Sequence, residues 1–257
     1  MIIITVVKDN LQALKKTYAS LVSQTRQDFR WLVQEGQSTD GTLEWLKSLD
    51  YPNLELHSER DKSIHNAMNL AIRKVASGHC MFLNAGDAYY SNDVLERIAK
   101  AMGKGDVPFA YGKYIIGSVP GFPERSLGER IHGPWQVFRG RVPCHQTMVI
   151  DRAVFDTFGF YDESLGIFSD RDWILGYVKR PEWARSVYLD FPVVHYDPVG
   201  QSYHRFLSKW RLYLSMLRKR GNPAEILVGA FGWARTAGYI TLSMLLERFK
   251  GVSPNGN

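Results

Sequence analysis

Four short apolar runs, each followed by a segment with helical spacing, make up the first hundred residues. Ile2–Val7 is apolar and β-branched, and Lys8-Asp9-Asn10 ends it early. Leu11, Leu14, Tyr18, Leu21 and Val22 then recur at helical spacing, with Asn10 placed to cap them. Phe29–Val33 reads as a second strand ending in Gln34-Glu35-Gly36, and Asp40-Gly41-Thr42 turns the chain into a short helix carrying Leu43, Trp45 and Leu46. Leu54–His57 is a third, weaker strand. Ile64–Val75 is a helix with Ile64, Met68, Ala71, Ile72 and Val75 on one side. Cys80–Leu83 is the fourth strand, and Asn92 stands at the head of a helix over Val94–Met102. Strands that alternate with helices pair in parallel through right-handed crossovers. The expected fold class is therefore α/β, with a mostly parallel central sheet flanked by helices.

Ligands of such a sheet bind beyond the carboxyl ends of its strands, so the residues that follow each run are the candidates for chemistry. The fourth run ends abruptly in Asn84-Ala85-Gly86-Asp87, a polar turn with one carboxylate. Glu35-Gly36-Gln37-Ser38-Thr39-Asp40 follows the second run and Ser58-Glu59-Arg60-Asp61-Lys62 the third. A fourth cluster, Ser169-Asp170-Arg171-Asp172, lies far downstream. Acidic turn residues are commonly caps, and Asp9, Asp40 and Asp172 are read that way. Three clusters converging on one sheet edge are a stronger signal than any one of them. Neither Gly-x-Gly-x-x-Gly after the first strand nor a Gly-x-x-x-x-Gly-Lys-Ser/Thr loop occurs, which disfavours dinucleotide and P-loop folds.

The pattern changes after Tyr111. Gly112–Pro143 is rich in Gly, Pro and Arg and reads as short strands and a mobile loop. Thr147–Ile150 is a strand, Ala153–Phe158 a short helix, Trp173–Val178 helical and Tyr188–Val194 a final strand. From Tyr203 the chain is helical and basic, with Trp210 and Arg211 to Arg220 interleaving charge and apolar residues. Asn222-Pro223 interrupts it, and Ile226–Phe249 is apolar. The 257 residues carry a net charge of +6, with 45% hydrophobic and 23% charged residues, as in a globular protein with a substantial core. Two distant cysteines, Cys80 and Cys144, form neither a disulfide framework nor a zinc pattern and suit a reducing compartment. The first run reads as a buried strand rather than a signal peptide, and no apolar stretch is a convincing membrane span.

The ordered set of motifs resembles the family 2 glycosyltransferases of the GT-A fold, most closely the bacterial polysaccharide branch of the colanic-acid type. The residues that carry the likeness are Thr5-Val6-Val7-Lys8-Asp9-Asn10, Glu35–Thr42, Ser58–Asn69, Phe82–Asp87 and Cys144-His145-Gln146. It covers roughly the first three-quarters of the chain. The resemblance implies a GT-A catalytic domain over residues 1–200, with a nucleotide-binding half to about 112 and an acceptor-side half beyond. Residues 201–250 would be a basic, amphipathic helical appendage and 251–257 a disordered tail. It further implies that Val6, Glu35, Asp61, Lys62, Asn84, Ala85 and Gly86 surround the nucleotide, with Glu35 at the base. Asp87, with His195 at the end of the last strand, would hold a divalent metal, Mg²⁺ or Mn²⁺. His145 and Gln146 would line the sugar and acceptor side, and Asp170 would be the catalytic base. The departures are Glu35 for an Asp, Gln37 and Ser63 for Gly, His65-Asn66 for Tyr-Asp, Gly86 for the second acid of Asp-x-Asp, and Ser169 for an acid.

The implied activity is inverting transfer of a sugar from a nucleotide diphosphate, most readily UDP, to a saccharide or lipid-linked glycan in cell-surface polysaccharide synthesis at the cytoplasmic face. The residue types suit it. A hard cation on carboxylate oxygen stabilises a departing diphosphate, and a carboxylate of ordinary pKa is already ionised to take a hydroxyl proton. Two rivals remain: a GT-A-fold binding or scaffold protein that has lost activity through these departures, and a nucleotidyltransferase. The second would need a Gly- and basic-rich loop after the first strand, which Val6–Asn10 does not provide. Nucleic acid is not an expected partner, since no binding motif accompanies the basic residues. The basic C-terminal helices either lie on a membrane surface or pack on the catalytic domain or a second subunit.

Overall fold

The computed structural model describes residues 1–103, 105–116, 124–196 and 209–234. Its first half is the expected alternation: β1 (Ile2–Val7), α1 (Leu11–Val22), β2 (Arg30–Glu35), α2 (Thr42–Ser48), β3 (Leu54–Ser58), α3 (Ile64–Lys74), β4 (His79–Phe82), β5 (Ala88–Tyr89) and α4 (Val94–Met102). The second half adds β6 (Phe109–Ile116), β7 (Arg125–Leu127), α5 (Pro134–Phe138), β8 (Val149–Asp151), α6 (Arg152–Phe158), α7 (Ser169–Tyr177), β9 (Val187–Tyr196) and α8 (Trp210–Arg220). Residues 223–234 are also helical.

The described strands form one sheet, ordered β3-β2-β1-β4-β8-β6-β9-β5, with β7 on β6. β3, β2, β1 and β4 are mutually parallel. β8 runs antiparallel to β4 and β6, and β6 is parallel to β9. β1 is buried on both faces, which explains its unbroken apolar run. Its alternate residues divide the core: Ile2, Ile4 and Val6 face Met68 and Ile72 of α3, while Ile3 and Val7 join the layer that holds Leu14 and Leu21 of α1.

Three local expectations are corrected. The second strand covers Arg30–Glu35 rather than Phe29–Val33, because Gln34 and Glu35 stay in register with Val6 and Val7 on one side and His57 and Ser58 on the other. Asn10 occupies the N-cap of α1 without a side-chain bond; Asp40 Oδ2 accepts from Leu11 N at 2.9 Å instead. The N-cap of α4 is Asp93, not Asn92, and Gln24 Oε1 accepts from Leu95 N at 3.2 Å. Both helix starts are thus capped from a neighbouring loop, a pairing invisible to local sequence.

Of the two readings for the basic helix, α8 follows the packing one. Tyr213, Met216 and Leu217 are buried in the core that also contains Trp173 and Tyr177 of α7. Arg220 makes a two-pronged contact with the buried Asp172, at 2.9 and 2.7 Å, and Lys219 Nζ lies 2.7 Å from Asp162 Oδ2. Asp172 is therefore more than a first-turn acid; it fastens α8 to α7. The expected start at Tyr203, the segment beyond residue 234 and the tail lie outside the described residues. No helix among the described residues is long and apolar enough to cross a membrane.

Candidate active site

The carboxyl ends of β2, β3 and β4 bring the first three clusters to one edge, as a parallel sheet requires. Val6 is buried in the α3-side core, so only its backbone borders this edge. Glu35, the last residue of β2, is fully buried. Its Oε1 accepts from Ser38 N and its Oε2 from Ser58 Oγ, each at 2.5 Å. Burial pushes this carboxyl up, but the Ser38 and Ser58 hydrogen bonds outweigh it and hold Glu35 below the usual range. Asp61 presses against the Gly36 backbone, where any Cβ would collide with Asp61 Oδ2 and crowd Lys8. Burial raises the Asp61 pKa, opposed by Lys8 and reinforced by Glu35. The Lys62 side chain is exposed, and its backbone N–H donates to Asn66 Oδ1 at 3.0 Å.

The turn after β4 is held from behind by Thr17 of α1. The Thr17 hydroxyl accepts from Gly86 N at 3.0 Å and lies 2.8 Å from the Asp87 carbonyl and 3.1 Å from that of Asn84. Gly86 has φ +105°, a backbone that strains any L side chain, so the residue standing for the second acid answers a conformational demand. Ala85 packs against the α1-side core. Asn84 and Asp87 are both more than nine-tenths buried. Their side chains meet the single 3₁₀ turn His145–Thr147 that precedes β8. Asn84 Nδ2 lies 3.1 Å from His145 Nε2, and Gln146 Nε2 donates to Asp87 Oδ2 at 3.2 Å. Asn84 Oδ1 has no protein partner. The other ring nitrogen of His145, Nδ1, faces Asp170 Oδ2 of α7 at 3.5 Å. Burial pushes the His145 pKa down, against the pull of Asp170.

Asn84, Asp87, His145, Gln146 and Asp170 are therefore assembled in one place from a strand end, a 3₁₀ turn and a helix start. His195 pairs in register with Ala88, next to Asp87, and its ring lies on Tyr90 with centroids 5.4 Å apart. Among the described residues no three His, Cys, Asp or Glu side chains converge as a metal cage. Two residues escaped the sequence reading. Thr17 interrupts the apolar stripe of α1 between Leu14 and Leu21, a polar residue on a buried face, and that was its available signal. His65, noted as a departure from the Tyr of the family run, is buried with its ring against Tyr161, and the charges of Asp170 and Glu163 pull against the burial that lowers its pKa.

A mixed sheet with flanking helices, a parallel nucleotide-side half and acids at its strand ends is the architecture of a GT-A-type transferase. The chain belongs to glycosyl transferase family 2, whose pattern it matches over residues 2–156, and it is a glycosyltransferase. It is 28% identical over 189 residues to a PGL/p-HBAD biosynthesis glycosyltransferase of Mycobacterium bovis (strain BCG / Pasteur 1173P2), covering 70% of each chain. In fold it is similar to S. aureus TarS 1–349, with a TM-score of 0.69 and 17% identity over 93% of this chain and 73% of that one. The same TarS fragment in complex with UDP-GlcNAc gives 0.65 at 13% identity, over 84% and 65%. A mannosyltransferase from Pyrobaculum calidifontis in complex with GDP-Man and Mn²⁺ gives 0.52 at 13% identity, over 98% and 80%.

Proposed function

We propose that this protein is an inverting transferase that uses a UDP-linked sugar and a saccharide or lipid-linked glycan acceptor, with Asp170 as general base. The observation that carries the reading is the convergence of the Asn84–Asp87 turn and Asp170 on adjacent residues of one 3₁₀ turn. Asp61, Lys62 and the Asn84–Gly86 backbone would hold the nucleotide, while Glu35, spent on Ser38 and Ser58, would brace the turn that meets the base. Gln146 would orient Asp87. TarS in complex with UDP-GlcNAc supports the choice of nucleotide.

Among the described residues the chain offers a divalent cation one buried carboxylate at this corner, Asp87, and no preformed cage. That donor set fits a hard ion such as Mg²⁺ or Mn²⁺ that takes its remaining ligands from a diphosphate and water. When bound, such an ion neutralises charge on the departing diphosphate. At the other side, the acceptor hydroxyl oxygen attacks the anomeric carbon as the bond from that carbon to the diphosphate oxygen breaks. The bond's electron pair leaves with the diphosphate, and the hydroxyl proton passes to the Asp170 carboxylate. Attack opposite the leaving group inverts the anomeric centre, and holding both reactants in line supplies much of the rate. Residues 1–200 would carry this chemistry. Contact with an acceptor-bearing membrane would fall to residues beyond α8, where Leu227 and Phe231 are exposed.

Calorimetric titration with UDP and GDP, with and without Mn²⁺, tests the reading. UDP should bind, and more tightly with Mn²⁺, because Asp87 alone leaves coordination to be completed by the diphosphate. Failure of both nucleotides to bind under either condition would sink it.

A further inference from the structure

His145 links two side chains whose residues lie far apart in the chain, Asn84 on the donor corner and Asp170 on the acceptor side. Asn84 Nδ2 has only hydrogens to offer, so at 3.1 Å His145 Nε2 accepts. In a neutral imidazole the single proton then sits on Nδ1, which faces Asp170 Oδ2 at 3.5 Å. Reversing the Asn84 amide would place its Oδ1 on an Nε2–H and turn the bare Nδ1 lone pair toward a carboxylate, which is repulsive. The carboxylate and the amide therefore select the same tautomer. Asn84 is itself held in place, since the residue is more than nine-tenths buried and its backbone carbonyl lies 3.1 Å from the Thr17 hydroxyl.

We propose that His145 is the positioning residue for the Asp170 carboxylate, held in its Nδ1–H tautomer by Asn84, so that the donor corner and the base are set by one imidazole. This rests on the reading of Asp170 as the base. An Nδ1–H facing one carboxylate oxygen, with Arg171 N donating to the other at 2.7 Å, sets the rotation of Asp170. The neighbouring Gln146 holds Asp87 in the same way, at 3.2 Å. The turn His145–Thr147 is thus a strut whose consecutive side chains aim the two carboxylates of the site.

The test has a spectroscopic and a kinetic arm on the full chain. In ¹⁵N-histidine-labelled protein, with His145 assigned by its loss in His145→Gln, the ring nitrogens report which one carries the proton. Nδ1 protonation is expected in the parent protein, and Asn84→Ala should shift it toward Nε2. An Nε2-protonated parent ring would overturn the proposal. In the kinetic arm, hydrolysis of UDP-GlcNAc with Mn²⁺ should fall on the order of 10²-fold in His145→Ala, with UDP affinity unchanged within about twofold. His145→Asn, whose amide N–H overlays Nδ1, should recover about tenfold over the alanine variant. Parent-level turnover in His145→Ala would equally overturn it. If the parent protein neither binds UDP nor turns over a donor, the transferase reading fails, while the tautomer result still decides the geometry.

Discussion

At Gly36 an added Cβ would overlap Asp61 Oδ2 and sit 3.1 Å from Lys8 Cβ. The backbone there does not require glycine; the close approach of Asp61 does. Gly36→Ala should fold, displace Asp61 and weaken UDP binding about tenfold by calorimetry, or ~1.4 kcal/mol. Unchanged affinity would remove Asp61 from the nucleotide site. Much at this scale was legible: Asn84, Asp87, His145, Gln146 and Asp170 were chosen from sequence and lie together. Other features were not. Nothing local says that Glu35 is fully buried with its carboxylate bonded to Ser38 and Ser58, or that Thr17 holds a turn 67 to 70 residues away. Such pairings depend on the sheet bringing distant loops together, and a residue type alone does not reveal its partner.

At the scale of elements, the α7–α8 latch carries the clearest consequence. Asp172 is almost fully buried and faces Arg220 and Lys219, while the Arg220 side chain is one-quarter exposed. Removing one partner of a buried pair strands the other charge, so Arg220→Met should cost about 3 kcal/mol in denaturant unfolding. Because α7 begins with the residues around Asp170, the loss should also lower turnover. The same latch sets a pH dependence. Lys219 and Ser164 hold the Asp162 carboxyl at about 2, against an ordinary value of 3.8. A depressed acid stabilises the fold above the unfolded pKa, and that contribution fades between about pH 4 and pH 2. Asp162→Asn should therefore flatten the acid side of the stability curve in that window. The strands and helices of the first half were readable because each is a local periodic pattern. The order β4-β8-β6-β9 was not, because antiparallel insertion of β8 and the return of β9 beside β6 are long-range pairings with no local mark.

At the scale of the whole molecule, the sheet divides the work. Its parallel half ends in the proposed nucleotide corner, and the turn before β8 and the start of α7 bring His145 and Asp170 there. The family 2 match covers residues 2–156, so it includes the turn His145–Thr147 and stops short of α7. Asp170 is thus the residue on which the mechanism depends most and to which family membership extends least. The direct measurement is a comparison of the parent protein with Asp170→Asn, using donor turnover across a panel of nucleotide sugars and UDP binding by calorimetry. The account predicts that UDP binds both proteins alike, while turnover of the donor used by the parent falls on the order of 10²-fold or more in the variant. Parent-level turnover in Asp170→Asn, with UDP bound normally, would contradict it.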